Sequence, residues 1–252
     1  MTPFPYPPFL ERTPRARSIV VLTGAGISVP SGLRPYRGPG GLWTSNPDLA
    51  NQLVAGFDPA TLWRVTCAWR KEVALAEPND AHRALAAFEA RVLSDGGSFT
   101  LLTQNVDGLH VRAGNQNVVE LHGAVRRSRC SSTGCTSEGF VDDRREGPVP
   151  TCVACGAPVR PDIVLFEERL GALEEWTAKK ALREVELFVA IGTSGTVSPA
   201  SSFVRSAEYS GAHTVLVNLE LPDPSESHFA EMHAGDAAVL VPKLFACRDR
   251  KD

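Results

Sequence analysis

Four cysteines form two close pairs whose spacing suits a bound metal ion. Cys130 and Cys135 make a C-x4-C pair, and Cys152 and Cys155 make a C-x2-C pair after sixteen intervening residues. In a chain whose N-terminus is not a secretory signal, such pairs favour a tetrahedral four-cysteine zinc site over disulfides. Four thiolates complete the coordination shell, so the predicted zinc is structural and offers no open position for catalysis. A redox-active or incidental set of cysteines is the alternative.

A histidine lies at the end of an apolar run, in VVELHGAV (residues 118–125). His122 could be a buried structural histidine, a metal ligand or a proton-transfer residue, and a single histidine in this setting is more often structural. The cysteine quartet removes the need for His122 as a zinc ligand. Imidazole, with an ordinary pKa of about 6.5, is suited to act as a general base.

A glycine turn, TGAGIS (residues 23–28), follows the first apolar run. Gly24, Ala25 and Gly26 would let the backbone approach a pyrophosphate, and the following helix would supply N–H donors at its N-terminus. Val29 stands where the usual fingerprint has a third glycine, and no ordinary second strand with an acidic residue follows about 20 positions on. A plain tight turn is therefore an equal alternative. Glu220, at the end of a later strand, could take the ribose-binding role.

A second polar group, TQNVDGLH (residues 103–110), follows another apolar run. Gln104, Asn105 and Asp107 could together hold a carboxamide or a water molecule. A polar loop in which Asp107 caps a helix is the alternative.

Four short apolar runs, rich in β-branched residues, predict strands of a parallel sheet that is covered on both faces. They are SIVVLT (18–23), FTLLT (99–103), ELFVAIGT (186–193) and HTVLVNLE (213–220). Helical periodicity appears at residues 80–93, 171–185 and 199–209, and Asn79 or Asp80 would cap the first of these helices. This alternation predicts a doubly wound, Rossmann-like α/β domain with its ligand crevice outside the carboxyl ends of the strands.

Two segments interrupt the alternation. Residues 33–78 contain a Gly/Pro-rich loop and aromatic helical material, LWRVTCAWRKEV, and residues 124–160 contain the cysteine pairs. We expect the helical insert (33–78) and the zinc module (124–160) to form a second, smaller domain. The large domain would comprise residues 18–32, 79–123 and 161–252, and an extended arm, residues 1–17, would precede it.

Composition and charge exclude several classes of protein. The 252 residues are 43% hydrophobic and 22% charged, as in an ordinary globular protein. A net charge of −3 and a pI near 6.1 argue against nucleic-acid binding. No apolar run approaches the roughly 18–20 residues that cross a bilayer. We therefore expect a cytoplasmic protein that binds neither nucleic acid nor membrane.

Taken in order, the motifs resemble the sirtuin family of NAD-dependent protein deacylases, in particular its compact bacterial members. The shared blocks are GAGIS, SGLRPYRGPGGLW, TQNVDGLH, ELHG, the two cysteine pairs, RPDIVLFEE, GTSGTVSPA, VNLE and GDAAVLVPKL, from about residue 18 to residue 244. The resemblance implies a Rossmann domain with a small domain made of a zinc module and a helical insert. It also implies NAD as co-substrate, a structural zinc, and acylated lysines of proteins as partners.

The resemblance implies site residues as well. The NAD phosphates and nicotinamide ribose would be lined by Gly24, Ala25, Gly26, Ser28, Tyr36 and Arg37. The ribose and carboxamide would be surrounded by Gln104, Asn105 and Asp107. The adenosine half would be held by Gly192, Thr193, Ser194, Asn218, Glu220 and Ala237. The substrate would be contacted by Arg70, Val164, Phe166 and Glu167.

The implied reaction is removal of an acyl group, with acetyl expected, from lysine. NAD loses nicotinamide as the acyl carbonyl oxygen attacks the ribose, and His122 then acts as general base on a ribose hydroxyl. Asn105 would help to place water, which finally releases lysine and O-acyl-ADP-ribose.

Three departures from the family pattern bear on these roles. Pro35 and Tyr36 replace the small or acidic residue and the phenylalanine that usually precede the next arginine. Glu167 stands where the family usually has glycine, in the loop that pairs with the substrate backbone. Arg70 matches the arginine of a Tyr-x-x-Arg pair that recognises acidic acyl groups, but Cys67 occupies the tyrosine position. A solvated helix face is the alternative for Arg70.

Two other functions compete with deacylation. The same scaffold could serve an NAD-consuming ADP-ribosyltransferase or NAD hydrolase, although the presence of both Asn105 and His122 favours deacylation. A non-enzymatic, zinc-bearing interaction module is disfavoured by the acidic pI and by the polar strand ends converging on one crevice.

Overall fold

The structure, a computed structural model, describes residues 7–12, 16–35, 41, 58–165, 167–193, 202–224 and 227–247. In chain order its strands are β1 (Ser18–Thr23), β2 (Ser98–Thr103), β3 (Val118–Glu120), β4 (Gly123–Cys130), β5 (Phe140–Val141), β6 (Val159–Ile163), β7 (Leu187–Ile191), β8 (His213–Asn218) and β9 (Glu231–Ala234). Its α-helices are α1 (Phe9–Arg12), α2 (Pro59–Leu75), α3 (Asp80–Ser94), α4 (Leu109–Ala113), α5 (Ala172–Arg183), α6 (Phe203–Tyr209) and α7 (Ala237–Leu244). A 3-10 helix, Ala25–Ser31, follows β1.

Six strands form one parallel sheet in the order β3-β2-β1-β7-β8-β9. When these six strands are counted along the chain, the order is 3-2-1-4-5-6, which is typical of doubly wound dinucleotide-binding folds. The fold class and the four strands expected from the apolar runs are therefore confirmed. The helix expected at residues 80–93 is α3, and the Asn79 side chain caps it by accepting the Ala81 N–H at 3.0 Å.

The alternation of side chains along β1 explains why this sheet is buried on both faces. Ile19 and Val21 belong to a core cluster that includes residues of α3 and α7. Val20 and Leu22 point to the opposite face and belong to a second cluster that includes residues of α5 and α6. Successive strand residues face opposite sides of a sheet, so an unbroken apolar run fits a strand that is covered on both faces.

A second, antiparallel sheet in the order β5-β4-β6 carries the cysteine pairs. Helix α2 packs beside it, and Trp63 and Cys67 of α2 share a buried cluster with Cys130, Cys152 and Val159. The helix starts at Pro59, a favoured first position, and the Asp58 carboxylate caps it by accepting the Thr61 N–H at 3.0 Å. The helical insert and the zinc module are thus in contact.

The N-terminal segment differs from the extended arm expected for residues 1–17. Phe9–Arg12 form one helical turn, and Phe9 packs edge-on against Phe245 with ring centroids 4.9 Å apart. No helix among the described residues is long and apolar enough to cross a membrane.

Candidate active site

The carboxyl ends of β1, β2 and β7 meet at the centre of the parallel sheet. Thr23, the last residue of β1, is in register with Thr103 of β2 on one side and with Ile191 of β7 on the other. In the sheet order, β2 follows β1 on one side of this point and β8 follows β7 on the other. Such a change of direction opens a crevice in doubly wound folds. The polar motifs expected to bind a ligand therefore converge on this crevice.

The glycine turn packs directly against the end of β7. Gly24 N donates to Ile191 O at 3.0 Å, and Gly26 N donates to Gly192 O at 2.9 Å. A Cβ on Gly24 would lie 2.7 Å from Gly192 O, and one on Gly26 would lie 2.7 Å from Gly192 Cα. These glycines are therefore needed for backbone packing, a reason additional to the approach of a phosphate that the sequence indicates.

Asn105 and Asp107 lie beside this turn and bind Ser28. The Asn105 side-chain amide donates to Gly24 O at 3.1 Å and to Ser28 Oγ at 3.2 Å, and Ser28 Oγ donates to Asp107 Oδ2 at 2.7 Å. Asn105 is 3% exposed, and its Oδ1 has no hydrogen-bond partner among the described residues. A buried carbonyl oxygen of this kind needs an external donor. The amide hydrogens of a carboxamide or a water molecule would supply one.

Asp107 accepts hydrogen bonds at the start of α4 and from Ser28. Its Oδ1 accepts the Leu109 N–H at 2.9 Å at the start of α4, and its Oδ2 accepts from Ser28. Burial raises the pKa of Asp107, although the hydrogen bonds from Leu109 and Ser28 oppose the shift. The carboxyl is therefore largely shielded from water, which strengthens the hydrogen bonds it makes.

The orientation of His122 is set by the main chain of Gln104. His122 Nδ1 lies 2.9 Å from Gln104 O, and because a carbonyl oxygen can only accept, Nδ1 carries the hydrogen. Nε2 of the neutral ring then keeps its lone pair and can accept a proton. The Gln104 side chain donates to Thr193 Oγ1 at 2.9 Å, so this residue also ties the end of β2 to the end of β7.

The environment of His122 keeps the ring neutral. Burial lowers the pKa of His122, and the hydrogen bond to Gln104 only partly offsets this effect. On the strand side, His122 O accepts the Val164 N–H at 3.0 Å. Gly123 permits this close approach, since a Cβ there would lie 2.1 Å from Asp162 O. The segment that begins at Val164 therefore runs directly beside the histidine.

A cleft opens from these residues toward α2. It is lined by Ala25, Ser28, Leu33, Arg34, Trp69, Glu72, Val73, Asn105, Val106, Asp107 and Val125. Across it, Arg34 Nη2 and Glu72 Oε1 form an ion pair at 2.9 Å. Trp69 and Val73, one helical turn apart on α2, line the cleft but were not predicted from the sequence. Their i, i+4 spacing on an aromatic helix was the available signal.

The residues expected at the adenosine half lie along the adjoining strand ends. Gly192 and Thr193 follow β7, Asn218 ends β8, and Ala237 begins α7 after the Asp236 cap. Glu220 is exposed beyond β8, and its carbonyl accepts from the Asn218 side chain at 3.0 Å. Tyr36, Arg37, Phe166 and Ser194 lie outside the described residues.

Arg70 does not face the cleft, so its prediction as a substrate contact is corrected. It is 2% exposed, and its guanidinium pairs with Asp142 at 3.3 Å and donates to Val125 O at 2.8 Å and Ser128 Oγ at 2.9 Å. The alternative of a solvated helix face is also wrong. A buried guanidinium needs a full set of acceptors, and the zinc module supplies them, so Arg70 ties α2 to that module.

The four cysteines are close enough to share one ion. Their sulfur atoms all lie within 4.8 Å of one another, with Cys130 Sγ 3.4 Å from Cys155 Sγ and Cys135 Sγ 3.7 Å from Cys152 Sγ. Tetrahedral zinc with Zn–S bonds of about 2.3 Å places its sulfur ligands about 3.8 Å apart. All four thiols are free, so the donor set and its dimensions fit a structural zinc rather than disulfides.

Glu167 occupies a turn position that normally requires glycine. Glu168 N donates to Leu165 O at 3.1 Å, which closes a four-residue turn, and Glu167 at its third position has φ +67°. A positive φ at this position of a turn favours glycine, which has no Cβ. A glycine at this position, as the resemblance to the family leads us to expect, would therefore have a conformational reason.

We expect Glu167→Gly to raise the free energy of unfolding by about 0.5–1 kcal/mol, since relief of the left-handed conformation exceeds the entropy that glycine adds to the unfolded chain. Thermal unfolding would show a Tm increase of about 1–4 °C. Glu167→Ala is the matched control, because it removes the carboxylate but keeps the Cβ. An equal gain in the alanine variant would show that backbone strain is not the cause.

Comparisons with known proteins agree with this site. The model of the Sir2 family matches residues 24–199, more than half of the chain. An NAD-dependent protein deacylase of Thermus thermophilus is 47% identical over 220 residues, which cover 85% of this chain and 83% of the relative. One from Vibrio parahaemolyticus is 41% identical over 232 residues, which cover 90% of this chain and 93% of the relative.

Solved structures extend the likeness to three dimensions. A Sir2 homologue in complex with NAD superposes with a TM-score of 0.82 at 34% identity, covering 94% of this chain and 91% of the other. A Sir2 structure with a p53 peptide and NAD+ gives a TM-score of 0.74 at 30% identity, covering 92% of this chain and 94% of the other. From family model, relatives and fold alike, we conclude that the chain belongs to the Sir2 family, the sirtuins.

Proposed function

We propose that this protein is an NAD-dependent protein-lysine deacylase in which His122 is the general base and Asn105 orients the ligand and a water molecule. The observation that carries the proposal is the bond from His122 Nδ1 to Gln104 O, which leaves Nε2 as the nitrogen that can accept a proton and fixes the ring to the residue that precedes Asn105. The curated relatives named NAD-dependent protein deacylase support the reaction. The NAD and p53-peptide complexes of Sir2 structures support the two substrates.

The polar groups in the crevice fit the two halves of NAD. Asn105 Oδ1 would accept from the carboxamide or a water molecule, and Asp107 and Ser28 would complete that pocket. Gly24, Ala25 and Gly26, with Tyr36 and Arg37, would face the phosphates and the adjacent ribose. Gln104 would line the ribose and Gly192, Thr193, Ser194, Asn218, Glu220 and Ala237 the adenosine half. Bound NAD supplies a ribose carbon from which nicotinamide can leave.

His122 and its neighbours would then handle the proton. Nε2 of His122 accepts it from a ribose hydroxyl, and the Gln104 carbonyl stabilises the resulting imidazolium by accepting from Nδ1. The products are nicotinamide, free lysine and O-acyl-ADP-ribose.

The acylated lysine would enter along the segment that begins at Val164. Because Val164 N binds His122 O, a peptide lying against residues 164–167 would bring its side chain to the histidine. Val164, Phe166 and Glu167 would contact this peptide. We propose acetyl as the acyl group, because Arg70, the expected partner for an acidic acyl group, is held by Asp142 away from the cleft.

We also propose that residues 18–32, 79–123 and 161–252 form the large domain and that residues 33–78 and 124–160 form the small domain. We further propose a cytoplasmic location. The contact of Trp63 and Cys67 with the cysteine module supports grouping the two insertions in one domain. The free state of all six cysteines agrees with a reducing compartment.

Nicotinamide release with NAD and an acetyl-lysine peptide tests the function. Release that requires the peptide, with O-acetyl-ADP-ribose and free lysine as products, supports deacylation. Release without peptide, or transfer of ADP-ribose to a protein, would favour the alternative NAD hydrolase or ADP-ribosyltransferase. Absence of NAD turnover would contradict the proposal.

The pH dependence of this reaction follows from the lowered pKa of His122. The base must be neutral, so the rate falls when acid protonates it. Because burial lowers its pKa, we expect the acidic limb of kcat/KM to have its midpoint below about 6.5, the value of an unperturbed imidazole. Initial rates with the acetyl peptide between about pH 5 and 8 measure this midpoint. A midpoint above the unperturbed value would contradict the assignment of this limb to His122.

A further inference from the structure

Two buried histidines lie directly behind the active site and have no part in the reaction described above. His82 on α3 is 0% exposed and His110 on α4 is 2% exposed, and their ring centroids are 4.7 Å apart. Burying a polar ring is unfavourable unless its nitrogens find partners. The partner of His110 links it to the crevice.

His110 reaches the site through two threonine hydroxyls. Its Nε2 lies 2.9 Å from Thr23 Oγ1, and Thr23 Oγ1 lies 2.9 Å from Thr103 Oγ1. Thr103 Oγ1 in turn accepts the backbone N–H of Asn105 at 3.1 Å. Thr23 and Thr103 are the register-paired last residues of β1 and β2. The ends of β1 and β2 and helix α4 are therefore joined through two buried hydroxyl groups.

Both imidazoles are neutral at physiological pH. Burial, with a contribution from Arg83, lowers the pKa of His82 to about 4. Burial and the neighbouring His82 lower the pKa of His110 far below its ordinary value, against a smaller opposing effect of Asn115. A neutral ring offers one donor and one acceptor, so the link to Thr23 keeps the same form across the working pH range.

We propose that His110 is a positioning residue, which fixes the Thr23 and Thr103 hydroxyls and through them the backbone and side chain of Asn105. This inference rests on the proposed role of Asn105 in the NAD site. The Asn105 side chain donates to Gly24 O and Ser28 Oγ. It can make both bonds and present Oδ1 to a ligand only while its backbone keeps its position.

The test compares His110→Phe, which loses the bond to Thr23, with His110→Gln, which keeps a polar nitrogen. His82→Phe is the matched control, since it alters the same buried pair but not that bond. We expect His110→Phe to lower kcat about 10-fold to 100-fold with an almost unchanged KM for the acetyl peptide, because small displacements of reacting groups have effects of this size. His110→Gln and His82→Phe should stay close to wild type. Equal kcat values for the two phenylalanine variants would overturn the proposal.

Two further measurements keep the proposal testable if His110→Phe does not fold. Thr23→Val removes the shared hydroxyl with little change of shape and should reproduce the loss of kcat, and its combination with His110→Phe should cause no further loss. Amide hydrogen exchange at Asn105, read by NMR without NAD, should be faster in Thr23→Val than in His82→Phe. Unchanged exchange would refute the link between His110 and Asn105. Because this readout needs no turnover, it remains decisive even if the wild type fails to deacylate.

Discussion

Replacing His122 by alanine is expected to lower kcat for deacetylation by about 10²–10⁴-fold, the usual contribution of a positioned general base. Nε2 is the proton acceptor in this assignment, and its orientation comes from the bond between Nδ1 and Gln104 O. Removal of the ring leaves the polar groups around Asn105 in place, so the Kd for NAD should change little. Steady-state rates with an acetyl peptide and calorimetric titration with NAD measure the two quantities.

Two controls sharpen this prediction. His213→Ala removes a histidine at the start of β8, paired with Glu231 and far along the sheet from the crevice, and should leave the rate unchanged. His122→Asn keeps a polar side chain but no base with a suitable pKa, so it should be as slow as the alanine variant. Full activity in either His122 variant would show that another group takes the proton.

Loss of zinc is expected to unfold the small domain and abolish activity. Zinc binds structural sites with an apparent free energy of about 10–16 kcal/mol, and this free energy stabilises the folded state because the unfolded chain has no preformed site. Here Cys130 and Cys152 belong to a small buried cluster with Trp63 and Val159, so the metal would bind at the centre of the module's packing. Cys152→Ser should lose the bound metal, measured by elemental analysis, and lower the Tm.

Cys247→Ser is the matched control for this cysteine substitution. Cys247 is an exposed free thiol outside the quartet, so its replacement should change neither the metal content nor the Tm. If wild-type protein that contains no zinc unfolds at the same temperature as the zinc-bound form, the structural role of the metal is refuted.

The large domain could be predicted because its signals are local. The apolar runs of β1, β2, β7 and β8 are long enough to identify buried strands, and Asn79 marks the start of α3 by its own side chain. β3 and β9 were not predicted. They have three and four residues, too few to show a period.

The small domain was less predictable because distant contacts decide it. β5 has only two residues, and β4 contains the charged run RRSRC, which has no continuous apolar face. The role of Arg70 was predicted wrongly because its partner, Asp142, lies in the other insertion. No residue near Arg70 in the sequence indicates a buried acceptor. The lining of the cleft by Trp69 and Val73 likewise depends on how α2 docks.

The parallel arrangement predicted that the polar strand ends meet at one crevice, since the carboxyl ends of such strands share one edge. The assignment of Gln104, Asn105, Asp107, Gly192 and Thr193 to parts of NAD came from the family resemblance. The Thr23–Thr103–His110 link was not predicted, although both strands end in threonine. A hydroxyl pair is recognisable only once the register of β1 and β2 is known.

The main-chain contact of His122 has a consequence for how the protein can change over evolution. The atom that selects the ring tautomer is a backbone oxygen of residue 104, which every amino acid possesses. Mutation of the Gln104 side chain can therefore alter the join between β2 and β7 while the histidine keeps its orientation. Selection can therefore change the side chain at residue 104 while the proposed general base keeps its orientation.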